Sequence, residues 1–249
     1  MWPLRRFFPL SRDGDRVETK MEERSSPNTN GGIAVIDVCD TLYFSNTTHD
    51  FIDFVARHER SNHRLLYVLL NSRVSPLRYA LIGLSVFTGW DYLRTFNIGM
   101  LKGRRRDEVQ DLAERFVREC LNDRKVPVTH RIVDDYRSAR KGRIVLCSSS
   151  IEPVVAAVAK ELAVDGYVCT TLELSDGIYT GLVADEVYHD KLNDLGRAGI
   201  SSPIDLAISD NLSDLKLLKS AKTCFAIAHS DQKREFWKKH QVELIDPKG

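Results

Sequence analysis

No CxxC pair occurs among the five cysteines, Cys39, Cys120, Cys147, Cys169 and Cys224. Their scatter argues against both a zinc site and a disulfide framework, so a reducing, cytoplasmic setting is expected. Neither sign of charge dominates: 36 basic side chains against 35 acidic ones leave a net charge of +1. Nothing global draws the chain to nucleic acid, and no such partner is expected. Also missing is an unbroken apolar run of about 20 residues, the length a membrane crossing requires. The most apolar stretches, Leu65 to Leu70 and Tyr79 to Phe87, are interrupted by Arg73, Pro76 and Arg78, so no transmembrane segment is expected. What is present suffices for a core: 43% of 249 residues are hydrophobic, enough for one large domain or for a core with a smaller insert.

Residues 1–31 differ from the rest. MWPLRRFFPL carries arginines inside its apolar stretch and no cleavage site, and the segment through SSPNTNGG is polar and rich in turn formers. This reads as a flexible leader. A surface anchor through Trp2, Phe7 and Phe8 beside two arginines is the sharper alternative.

From Gly32 onward strands alternate with helices. Ile33 to Ile36, Ile144 to Cys147, Leu206 to Ile208 and Phe225 to Ile227 are short apolar runs of the kind that fill a parallel sheet covered on both faces. Pro153 to Leu162 and Leu212 to Ala221 carry helical spacing between them. The fold class is therefore α/β, a doubly wound, mainly parallel sheet. The long stretch 43–141 exceeds one crossover and reads as an inserted helical cap, with Phe51, Phe54 and Val55 and then Val109, Leu112, Ala113, Phe116 and Val117 at helix spacing. The core is then 32–42 with 142–249. In TTLELSDGIYTGLVAD, alternation on either side of Asp176-Gly177 predicts a hairpin. Ligands of such sheets gather at the carboxyl ends of the strands. Asp37, Ser148 and Asp210 follow apolar runs directly or one residue later, so three polar side chains distant in sequence should converge, with Lys191 delivered after the hairpin and Asp214 one helical turn beyond Asp210.

The order DxxxT, Ser, Lys, DxxxD resembles the haloacid dehalogenase superfamily, and MLKGRRRDEVQDLAERFV, DGIYTG and SDNLSDLKLL resemble segments of its phosphoserine-phosphatase-like branch. The resemblance covers about Gly32 to Ile245. It implies a Rossmann-like core in which Asp37 is a nucleophile that becomes an aspartyl phosphate. It further implies a magnesium ion held by Asp37, the main-chain carbonyl of Cys39 and Asp210, with Asp214 as direct ligand or holder of a metal-bound water. Lys191 would stabilise charge on Asp37 and on the phosphoryl oxygens. Ser148 would bind a phosphate oxygen, Ser149 and Ser150 would offer backbone N–H groups at the start of the next helix, and Thr41 would support the nucleophile loop and the phosphate.

One position departs from the pattern. Ordinary phosphatases of this superfamily carry a second aspartate two residues after the nucleophile, which protonates the leaving oxygen; here that residue is Cys39, and Asp40 follows it. General acid–base help is worth about 10²–10⁴-fold, so either Asp40 substitutes as the acid or turnover is slow or lost. Two readings follow: a magnesium-dependent hydrolase of phosphate monoesters, or a non-catalytic, regulatory phosphate-binding protein of the same fold. Dehalogenation fits poorly with Asp210 and Asp214, and carbon–phosphorus cleavage would need an imine-forming lysine that Lys102 and Lys125 do not single out. Where the branch recognises phosphoserine through a cap glutamate and arginine, ungapped alignment places Asn46 and Asn97. Neither carries charge, so a different small phosphorylated metabolite, such as a sugar or lipid-linked phosphate, is the expected partner.

Overall fold

A computed structural model of the chain describes residues 31–58, 63–72, 74–89, 91–139, 141–187, 190–200 and 203–247. The expected leader, with Trp2, Phe7 and Phe8, lies outside the described residues except for Gly31. Seven strands form one sheet: β1 (Gly32–Ile36), β2 (Gly142–Ile151), β3 (Gly166–Ser175), β4 (Ile178–Asp185), β5 (Ile204–Ser209), β6 (Thr223–Ile227) and β7 (Glu243–Ile245), in the spatial order β4-β3-β2-β1-β5-β6-β7. Only the β3–β4 pair is antiparallel. This is the doubly wound sheet read from the sequence.

Strand alternation explains why its central strands are apolar throughout. Ala34 and Ile36 of β1, Ile144 and Leu146 of β2, and Leu206 and Ile208 of β5 face one buried cluster. Ile33, Val35, Val145, Cys147 and Ala207 face a second one, closed by Leu217, Leu218 and fully buried Trp237. Both faces are dry, so an alternating polar position would leave an unpaired polar group inside the core.

Among the described residues ten α-helices cover the sheet or extend from it. The inserted stretch holds α1 (Thr47–His58), α2 (His63–Asn71), α3 (Pro76–Thr88), α4 (Tyr92–Gly99), α5 (Arg106–Phe116) and α6 (Pro127–Ser138). After β2 come α7 (Glu152–Glu161), α8 (Lys191–Arg197), α9 (Leu215–Ser220) and α10 (Asp231–Lys239). The insert is uneven in its packing. α5 lies against α7, and α6 lies against β2 as an ordinary crossover helix would; Phe51, Phe54, Val109, Phe116 and Tyr136 join the same cluster as β1 and β2. α2 and α3 stay outside that cluster apart from Tyr67.

The hairpin forms where the sequence places it. Asp176 (φ +53°) and Gly177 (φ +77°) both adopt the left-handed region, the requirement of the tight turn whose twist matches the flanking strands. β2 is longer than its apolar run suggests. It continues through Ser148, Ser149 and Ser150 to Ile151, with a shift of register against β3 between Ser148 and Ile151, and α7 starts only at Glu152.

Candidate active site

Strand register brings the site together. Ile36 at the end of β1 lies beside Leu146 of β2 and Ile208 of β5, so the residues after it emerge between Cys147-Ser148 on one side and Ser209-Asp210 on the other. The Asp37 N–H continues the ladder by donating to Ile208 O at 3.0 Å. Its side chain leaves the sheet at the carboxyl edge and accepts from the Val38 N–H at 2.8 Å.

Lys191, the first residue of α8, supplies the central contact. Its Nζ lies 3.0 Å from Asp37 Oδ1 and 2.7 Å from Asp214 Oδ2, with all three side chains buried. Asp214 Oδ2 also accepts from Ser209 Oγ at 2.6 Å. Asp214 thus orients the lysine, and the lysine tethers the nucleophile candidate. Burial pushes the Asp37 carboxyl up to about 6, with Lys191 pulling against it and Asp214 and Asp210 adding repulsion. For Lys191, burial alone would favour the neutral amine, but the two carboxylates outweigh it and hold the ammonium above its usual range.

Asp210 stands on the other side of Asp37. Its N–H donates to Thr41 Oγ1 at 3.0 Å, while the same hydroxyl reaches Asp210 Oδ1 at 3.4 Å. Thr41 is fully buried and ties the β1 loop to the β5 loop. Asp210 Oδ2 pairs with Lys233 Nζ of α10 at 2.5 Å. The Asp40 carboxyl is raised by partial burial and by Asp210, against the pull of His229 and Lys233. Its backbone is left-handed (φ +49°), and its carbonyl accepts from His229 Nε2 at 2.6 Å. Asp40 therefore sits on the Asp210–Lys233 flank.

Cys39 is half-buried, its Sγ 3.0 Å from Thr47 Oγ1. Burial, with the Asp37 charge, pushes the thiol up to about 11. It stays protonated at neutral pH and cannot take a proton there.

The serines are braced from several directions. Ser148 is fully buried, and its Oγ accepts from the Ser150 N–H at 3.3 Å. Ser150 Oγ bonds Thr47 Oγ1 at 2.7 Å and Thr48 Oγ1 at 3.0 Å, joining the start of α1 to the serine segment. The Ser149 carbonyl accepts from Arg94 Nη2 of α4 at 2.9 Å and from Thr170 Oγ1 at 3.0 Å. Asp37 at 6%, Lys191 at 3%, Asp210 at 6% and Ser148 at 0% exposure are almost wholly withdrawn from solvent.

Asp37, Lys191, Asp210 and Asp214 thus converge, with Thr41 as the tie between loops. Sequence reasoning missed Ser209, Arg94, His229 and Lys233. Ser209 directly precedes Asp210 and was open to the same strand-end argument; the other three carry no local signal.

Among the described residues no three His, Cys, Asp or Glu side chains form a ready cluster for a metal. The donor set nevertheless fits a hard divalent cation. Asp37 and Asp210 end neighbouring strands, Asp37 Oδ2 meets no hydrogen-bond donor among the described residues, and three carboxylates face only two ammonium groups. Such an ion would complete its shell with main-chain oxygen, water and substrate.

The haloacid dehalogenase-like hydrolase family model matches residues 34–219, well over half the chain, and the protein belongs to that family. A Mycobacterium leprae protein described as a hydrolase is 24% identical over 155 residues, which are 60% of this chain and 51% of that one. The chain thus spans about half the length of this curated relative. A Bordetella pertussis Tohama I protein of unknown function shares the fold at a TM-score of 0.72 and 20% identity, covering 88% of this chain and all of that one. A phosphoserine phosphatase, solved as a phospho-aspartyl intermediate analogue, shares it at a TM-score of 0.51 and 14% identity, covering 89% and 95%.

Proposed function

We propose that this hydrolase cleaves phosphate monoesters with magnesium, through a phosphoryl group carried transiently on Asp37. The observation that carries the reading is the buried Lys191 ammonium held between Asp37 Oδ1 at 3.0 Å and Asp214 Oδ2 at 2.7 Å. A lysine so fixed keeps its charge where an attacking carboxylate and an incoming phosphate would otherwise repel each other. That a phosphoserine phosphatase sharing this fold is described as a phospho-aspartyl intermediate analogue adds support.

Magnesium, held by Asp37, Asp210 and the Cys39 carbonyl, would neutralise phosphate charge. Asp214, occupied by Lys191 and Ser209, serves best as the residue that positions the lysine and could hold a metal-bound water. The Asp37 carboxylate attacks phosphorus and the alcohol departs with a proton; water then attacks phosphorus of the acyl phosphate, breaking its bond to Asp37, releasing inorganic phosphate and regenerating the carboxylate. Ser148 and the backbone of Ser149 and Ser150 receive the phosphoryl oxygens. With the Cys39 thiol held up to about 11, the proton on the leaving alcohol falls to Asp40, whose raised carboxyl makes it a better donor. Side chains so withdrawn from solvent require opening for substrate entry, and closure then excludes water.

The substrate class follows from what the insert withholds. Asn46 Oδ1 caps α1 by accepting from the His49 N–H, and Asn97 exchanges hydrogen bonds with Asn71. Neither position supplies charge to recognise an amino acid, which favours a small phosphorylated metabolite such as a sugar or lipid-linked phosphate.

The test uses purified protein, magnesium and p-nitrophenyl phosphate, then a panel of phosphorylated metabolites. Turnover is expected in the native chain, absent in Asp37→Asn, lower in Asp40→Asn and higher in Cys39→Asp. No turnover in any form, together with no binding of a phosphate analogue, would overturn the reading. Binding without turnover would favour the regulatory alternative.

A further inference from the structure

A helix that no described element covers is the least expected feature of this molecule. α3 has no buried residue along its length, yet its sequence, PLRYALIGLSVFT, is mostly apolar. Phe87 is 90% exposed and Val86 82%; Val74, in the turn before the helix, is 88% exposed. The preceding α2 adds Val68 and Leu69, each about half exposed. Large contiguous apolar surfaces on a folded chain mark a place where something docks.

The helix does not depend on a missing partner to define its ends. Ser75 caps the first turn, its Oγ accepting from the Arg78 N–H at 3.4 Å, and Pro76 occupies the first helical position. Gly89, in the left-handed region at φ +73°, closes the last turn by donating to Ser85 O at 2.8 Å. α2 is joined to it through Arg78, whose Nη1 donates to Asn71 O at 3.0 Å. The pair is a preformed helical hairpin.

Two further observations identify the occupant. The Ser85 and Thr88 hydroxyls of α3 are turned onto their own helix: Ser85 Oγ donates to Leu81 O and Thr88 Oγ1 to Leu84 O, both at 2.8 Å. This arrangement satisfies polar hydrogens without water. Charge is one-sided as well. From His63 through Trp90 the sequence contains no aspartate or glutamate, while Arg64, Arg73 and Arg78 supply positive charge. A segment with basic and no acidic side chains among its apolar ones, Arg78 of α3 included, complements an anionic lipid surface. At 13 residues, α3 is about 20 Å long, too short for a hydrocarbon layer of about 30 Å. In keeping with this, no described helix is long and apolar enough to cross a membrane.

We propose that the α2–α3 hairpin docks the protein onto an anionic lipid bilayer, with Val86 and Phe87 entering one leaflet. This site is separate from the carboxylate pocket, and the proposal does not depend on how that pocket is read.

The test is flotation of the full chain with vesicles of phosphatidylcholine alone or with about a third phosphatidylglycerol. The native chain should float with the anionic vesicles and bind them about tenfold more weakly when they are neutral or when salt is raised to about 0.5 M. The double variant Val86→Asp, Phe87→Asp should lose binding by at least about tenfold, with circular dichroism and thermal midpoint unchanged. Because both side chains touch solvent alone, folding should survive; if it does not, Phe87→Ser alone replaces the pair and must show the same loss. Failure of the native chain to bind, or equal binding by the variant, would overturn the proposal. So would a native dimer that the variant converts to monomer without any vesicle binding, since the surface would then belong to a second copy. Binding that disappears on removing residues 1–30 and survives the Val86 and Phe87 changes would overturn it too.

Discussion

The pocket at the end of β1 and the hairpin of α2 and α3 invert the usual placement of side chains in opposite ways. In the pocket, three aspartates and a lysine are buried; on the hairpin, valine and phenylalanine are left in water. Each arrangement costs free energy that packing alone does not return, through desolvated charge in one case and hydrated apolar surface in the other. The two differ in how that cost is met. The pocket answers most of it internally, ammonium against carboxylate at 2.7 to 3.0 Å. The hairpin has no internal answer among the described residues. A buried charge with partners points to chemistry, and an exposed apolar helix with finished caps points to contact.

The contrast can be broken most sharply at the nucleophile candidate. Asp37→Asn should reduce phosphatase turnover by about four orders of magnitude or more, read with magnesium and p-nitrophenyl phosphate, while the folded secondary structure persists. Next in size is Lys191→Met, which strands Asp37 and Asp214 without a cation. Breaking one side of such a buried arrangement costs about 3–5 kcal/mol, measurable by urea unfolding. Adding Asp214→Asn to it should recover part of the loss. If Lys191→Met costs under about 1 kcal/mol, the pocket is wetter than its burial implies.

Proton linkage gives a third probe. In metal-free protein Asp37 titrates near 6, so below that pH an incoming divalent cation must displace a proton. Calorimetric magnesium affinity should be flat above about pH 7 and fall about tenfold per unit below pH 6. The fourth is smaller. Lys233 pairs with Asp210 Oδ2 and must yield it to a cation, so Lys233→Ala should tighten divalent binding about two- to fivefold, the worth of a partly exposed ion pair. The smallest effect belongs to the hairpin: Val86→Asp should change unfolding stability by no more than about 0.5 kcal/mol. A larger loss there would reveal a cover that the contrast denies.

The frame of the site was legible because it sits where apolar runs stop. Asp37 ends its apolar run at once and Asp210 comes one residue after its own, at the carboxyl edge where ligands of such sheets gather. Lys191 needed family resemblance to stand out, since nothing in YHDKLND distinguishes it from a solvated helix residue. Lys233 was beyond reach for a related reason. It is one of several cations in DQKREFWKK, and which of them meets Asp210 depends on how the loop after β6 turns. Arg94 was hidden because its partners, the Ser149 carbonyl and the Thr170 hydroxyl, come from two different strands. The serine segment was read as a helix start; instead β2 runs on to Ile151 with an irregular register against β3. That bend is set by pairing across the sheet, which local composition does not encode. The apolar character of α3 was plain in its sequence, but its lack of any covering element is a property of three-dimensional packing.

Arg94 has a mechanical consequence. It lies on α4, the helix that directly follows α3, and its guanidinium donates to both the Ser149 carbonyl and the Thr170 hydroxyl, which also bond each other. Any outward swing of α4 unbolts both at once. Movement of α4 relative to the sheet would therefore be felt by β2 and β3 together.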